Sequence, residues 1–78
     1  MELTVKCTWY DDDNIWVAQV SNDDFAVTTD HNSFDALIER VKIVVEDIAK
    51  VDLRYEGEIK LSFDVVRTDS VNTISETA

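Results

Sequence analysis

The chain has no proline, and only one glycine, one cysteine and one histidine in 78 residues. A single cysteine, Cys7, excludes an intrachain disulfide and any cysteine-rich zinc set. A single glycine, Gly57, excludes a glycine-rich phosphate loop. The longest purely apolar run in the central helical stretch is Ile43–Val45, far short of a membrane span. Met1-Glu2 opens straight into a strand pattern with no basic and apolar leader, so a cytoplasmic protein is expected. Basic residues are the most telling absence. Between Lys6 and Arg40 there is no Lys or Arg, while eight acids fall there: Asp11, Asp12, Asp13, Asp23, Asp24, Asp30, Asp35 and Glu39. From Arg40 to Arg67 six bases meet six acids, so the net charge of −10 is concentrated in the N-terminal half. Such a surface repels phosphate backbones and disfavours direct nucleic-acid binding. It suits a basic protein partner, or serves solubility.

The stretch Ser33–Lys50 (SFDALIERVKIVVEDIAK) organises the rest. Its apolar residues Phe34, Leu37, Ile38, Val41, Val44, Val45 and Ile48 follow a 3.6-residue period, with Asp35, Glu39, Glu46, Asp47 and Lys50 opposite. Ser33 is a good N-cap, Asp35 suits the positive end of the helix dipole and Lys50 the negative end. Six β-branched residues weaken helix propensity, each by roughly 0.5 kcal/mol relative to Ala. A strand through Val41–Val45 would need strict alternation, however, and Val44–Val45 followed by Glu46–Asp47 breaks it. The periodicity therefore predicts a helix, with Ile43 projecting outside the stripe.

Four strands are expected around this helix. Glu2–Tyr10 alternates cleanly, with Leu3, Val5, Cys7 and Trp9 on one face and Thr4, Lys6, Thr8 and Tyr10 on the other. Asp11–Asn14 is turn chemistry, Asn14 tolerating the left-handed conformation. Ile15–Ser21 is apolar on both faces, as central strands are. Asn22–Asp24 is a second turn, Phe25–Thr29 a short third strand, and Asp30–Asn32 leads into the helix. Val51–Glu58 connects to Ile59–Arg67, where Ile59, Leu61, Phe63 and Val65 are expected to turn inward. Residues 68–78 are polar and aperiodic and read as a disordered tail beyond a single domain of residues 1–67. The fold class is therefore α+β: a two-layer βββαβ unit, its mostly antiparallel four-stranded sheet in order 3-2-1-4, with one helix on one face. A right-handed crossover would set the fourth strand parallel to the first. One helix covers only one face of a sheet, so Ile15 and Val17, with Ile43, are candidate contacts for a homodimer.

No catalytic or metal motif stands out, and neither cofactor nor enzymatic activity is expected. Asp11, Asp12 and Asp13 fail the EF-hand pattern, which needs alternating acids, a Gly at the sixth position and a distal Glu. Trp16 occupies that sixth position. His31 has no Ser or Cys at a defined spacing, Cys7 reads as a small core residue, and Trp9, Tyr10 and Trp16 lack the basic surroundings of a base-stacking platform.

The ordered combination of first strand, acidic turn, Ile15-Trp16-Val17-Ala18 and Ser33–Lys42 resembles HicB-like antitoxin domains, over about residues 3–67. There a turn of type D-E-D-G precedes an aromatic-V-A strand, and a T-L-E-E-A-L segment opens the helix. The likeness is greatest to short stand-alone relatives of unknown function. It implies a partly degraded ribonuclease-H-like fold, dimers or larger assemblies, and the masking of a small basic ribonuclease of HicA type. Many relatives add a C-terminal DNA-binding module, for which the eleven residues after Arg67 are too few. The family's P-x-L-P-G-type segment is replaced by Ser21–Asp24. Ribonuclease-H chemistry needs carboxylates on central strands to hold magnesium, and the first strand offers Val5, Lys6 and Cys7 there.

Three functions follow as expectations. The first is a non-enzymatic interaction protein that engages a basic partner through Asp11, Asp12, Asp13, Asp23, Asp24 and Asp30. The others are a metal- or small-ligand-binding domain using Asp11–Asp13 and His31, and an acidic decoy of nucleic acid.

Overall fold

The computed structural model describes residues 1–74. Five elements follow in chain order: β1 (Glu2–Tyr10), β2 (Ile15–Ser21), β3 (Ala26–His31), α1 (Phe34–Val51) and β4 (Lys60–Val66). They form the expected α+β arrangement. The sheet order is β3-β2-β1-β4, with β1 antiparallel to β2, β2 antiparallel to β3, and β1 parallel to β4.

Local chemistry explains the connections. Asn14 takes φ 53°, the left-handed conformation that the two-strand turn needs, and its N–H donates to the Asp11 carbonyl at 3.3 Å. At the next turn the Asn22 side-chain oxygen accepts from the Asp24 and Phe25 N–H groups at 2.8 and 3.0 Å. Ser33 caps α1, its hydroxyl accepting from the Ala36 N–H at 3.4 Å.

The core lies between the sheet and α1. Leu3, Val5 and Cys7 of β1 and Trp16, Ala18 and Val20 of β2 face Leu37, Val41, Val45 and Ala49 of α1, and all are buried. Burial in this apolar layer pushes the Cys7 thiol above its ordinary pKa, as expected of a packing residue and not of a nucleophile. One end of the core is aromatic. Trp16 packs in tilted contact against Trp9 and Phe34 with centroids 5.3 and 4.8 Å away, and the Arg67 guanidinium lies 4.9 Å from the Trp9 ring centre.

Two expectations need correction. β3 starts at Ala26 and runs on through Asp30 and His31, which pair with Val17 and Trp16 of β2; the ladder ends at His31, two residues before the Ser33 cap. Val65 takes the inner face, opposite Cys7, yet nothing covers it: it is 48% exposed, and Ile59, Leu61 and Phe63 are only half-buried. The cause is the position of α1, which packs over β2 and β3 and leaves β4 at an uncovered edge. The tail expected over 68–78 has no helix or strand as far as residue 74, and its last four positions lie outside the described residues.

Past the helix the chain is tied down closely. The Asp52 and Leu53 N–H groups both donate to the Ile48 carbonyl, and the Tyr55 N–H donates to that of Ala49 at 2.8 Å. This closure puts Arg54 at φ 49°, a left-handed position that usually belongs to Gly or Asn.

Two stability changes follow. Leu37 is fully buried, so Leu37→Ala should lower unfolding free energy by about 3–4 kcal/mol, read from urea denaturation. A loss under about 1 kcal/mol would mean that α1 does not anchor the core. Arg54→Gly should relieve about 1–2 kcal/mol of left-handed strain against about 0.5–1 kcal/mol of added chain entropy. The denaturation midpoint is expected to rise slightly, and a fall would refute the strained conformation.

Candidate functional site

Directly opposed residues in neighbouring strands share a face, so the ladder registers map the side of the sheet turned away from α1. One row runs Asp30–Val17–Thr8–Val66 and the next pairs Ile15 with Tyr10. Ile15 and Val17 are half-buried, whereas Tyr10 and Val66 are 49% and 44% exposed. Together they make a small apolar patch at one end of the open face. The exposed turn Asp11, Asp12 and Asp13 follows directly from Tyr10, and Asp30 closes the patch on the β3 side. Lys6, one row further along, stands in register with Asp64 and Gln19.

The six acids expected to form one binding surface therefore divide. Asp11, Asp12, Asp13 and Asp30 share the end where α1 begins. Asp23 and Asp24 lie in the opposite turn, beyond the seven residues of β2, roughly 20 Å away at about 3.3 Å per residue. The three expected dimer contacts divide as well. Ile15 and Val17 lie on the open sheet face, while Ile43 is 67% exposed on the side of α1 turned away from the sheet.

Neither Asp11 nor His31 is free to act alone. Asp11 Oδ1 accepts from the Trp9 indole N–H at 3.4 Å. His31 Nδ1 accepts from the Ser33 N–H at 2.9 Å, which fixes the ring as a brace for the helix start and occupies the nitrogen that a general base would use. Among the described residues no three His, Cys, Asp or Glu side chains converge on a point that would hold an ion. No helix among them is long and apolar enough to cross a membrane.

A second feature lies on the other face. Between the C-terminal half of α1 and β4 runs an open groove of about 650 Å³, lined by Val45, Ala49, Tyr55, Ile59 and Leu61, with Lys42 and Lys50 on its rim. The rim lysines are paired within their own helix, Lys50 with Glu46 at 2.6 Å and Lys42 with Glu39 at 3.2 Å. Lys50 holds the Glu46 carboxyl below its ordinary range, mainly through their hydrogen bond. Both pairs are exposed and add little stability.

Alternation along β1 assigns Tyr10 to the open face; its place beside Ile15, and that of Val66 beside Thr8, come from registers that no single strand encodes. No curated protein and no solved structure matches the chain. One family profile does, and it takes in residues 2–72, nearly the whole of the described domain. The chain belongs to that family, a domain of unknown function designated DUF1902.

Proposed function

We propose that this domain is a non-enzymatic interaction module that docks a basic protein on the acidic end of its open sheet face. One observation carries the reading: an apolar patch of Tyr10, Ile15, Val17 and Val66 is bordered on two sides by carboxylates, Asp11–Asp13 and Asp30. Protein interfaces combine a desolvated apolar or aromatic anchor with a polar rim. Carboxylates on that rim steer a basic partner into place and repel acidic competitors. The resemblance to HicB-like antitoxins supports a small basic ribonuclease as that partner. Covering its cationic RNA-binding surface would block its substrate without any chemistry by this chain.

The test is co-purification with the product of the adjacent reading frame, followed by affinity measurements at low ionic strength and at about 0.15 M. A complex is expected that weakens with salt and loses about tenfold in affinity in the triple variant Asp11→Asn, Asp12→Asn, Asp13→Asn. Tyr10→Ala should raise the dissociation rate, and the pair Asp23→Asn, Asp24→Asn at the far end should change little. Absence of a complex, or one indifferent to salt and to the triple variant, would overturn the proposal.

A further inference from the structure

β4 is an outer strand whose far edge has no partner among the described residues. Its backbone direction is known: the Lys60 N–H donates to the Met1 carbonyl at 2.9 Å, so Lys60, Ser62 and Asp64 aim their peptide groups at β1. The peptide groups of Leu61, Phe63 and Val65 therefore point outward, unpaired. Exposed edges of this kind are usually blunted by Pro, a bulge or charged side chains. β4 has no Pro and no bulge, its alternation is unbroken, and its two charges, Lys60 and Asp64, are of opposite sign and so can face each other across a two-fold axis.

We propose that β4 pairs antiparallel with β4 of a second copy of this chain, about a two-fold axis at Ser62. In that register Leu61 and the partner's Phe63 exchange backbone hydrogen bonds, as do Ile59 and the partner's Val65. Lys60 faces the partner's Asp64, and Asp64 faces the partner's Lys60. These charged pairs fall at the non-hydrogen-bonded positions, where side chains on neighbouring strands are closest. Only even shifts keep the outward peptide groups matched. Two residues one way sets Glu58 against the partner's Asp64, and two residues the other way pairs no charges. Centring on Lys60 or on Asp64 places like charges face to face. The register about Ser62 is thus the one that the charges select.

The pairing also meets the deficit left by α1. The half-buried strip of Leu61 and Phe63 on the inner face gains the same strip of the partner as its neighbour. The other sheet edge, β3, has no such self-complementarity. It carries the single charge Asp30 and no Lys or Arg to face it on a second copy, and the Asp30 carbonyl already accepts from the Arg40 guanidinium at 2.9 Å. The two proposals are tested separately, since the charge swap alters Lys60 and Asp64 and none of Tyr10, Ile15, Val17, Val66 or the acids that border them.

The experiment is a charge swap read by light scattering, with circular dichroism confirming that each variant is folded. Wild type is expected at twice the chain mass of 8.9 kDa. Lys60→Asp and Asp64→Lys should each weaken the dimer by about tenfold or more, because each creates two like-charge pairs. The double variant should restore it. An equimolar mixture of the two single variants should form a heterodimer, since both positions are acidic in one chain and basic in the other, and every facing pair is then of opposite sign. A monomeric wild type, or a dimer unchanged by both single variants, would overturn the proposal.

Discussion

The contact between the α1 stripe and the inner face of the sheet is the one on which everything else depends. A helix about 10 Å across lies on four strands spaced about 4.8 Å apart, too wide a sheet for one helix to cover. The fold places that cover where the apolar content is greatest. Leu37, Val41 and Val45 meet Val5, Ala18 and Val20 over the centre, and Trp16 and Phe34 close one end. The shortfall falls on β4, which keeps a groove beside it and an open edge beyond it. A molecule of this size has no disulfide with which to offset an incomplete core. Surfaces that look unfinished in the single chain are therefore the ones on which the proposed second copy would add to stability.

Charge is arranged with the same economy. The bases fall mostly on α1 and the elements after it, where Lys42 and Lys50 pair with acids three or four residues away and Lys60 and Arg67 with acids two residues away. Among the described residues the acids of the first three strands and their turns form no such ion pairs, Arg40 reaching only the Asp30 carbonyl, and they stand at the two ends of the sheet. Of these ends, the one where α1 begins sets an exposed tyrosine, Tyr10, beside its carboxylates, whereas the other exposes Met1 and Val51. The opposite turn, with Asp23 and Asp24, has its backbone satisfied by Asn22 and reads as a solvated hairpin.

Much of the fold was legible in the sequence because β1 and β2 alternate cleanly and end at turns whose chemistry is explicit. Ser33 marks the helix start, and both bounds of the first two strands agree with those expected. β3 was less legible. Its end depends on whether Asp30 and His31 find partners on β2, a question of register and not of propensity. The exposure of Val65 was illegible for a related reason: alternation tells which face a residue takes, not whether anything lies over that face. The candidate site was half legible. The acids stand out by composition, yet their division between two ends, and the meeting of Tyr10, Ile15, Val17 and Val66, emerge only once three strands are aligned.

The aromatic end of the core carries a further consequence. Trp9 and Trp16 belong to different strands, Phe34 to the first turn of the helix, and Arg67 follows the last strand, yet all four lie in one cluster. The chain's only two indoles are thus in mutual contact where every layer of the fold converges. Their coupled absorption and emission form a built-in optical gauge of tertiary structure. Separating any one of those elements from the others would register there, even with the secondary structure intact.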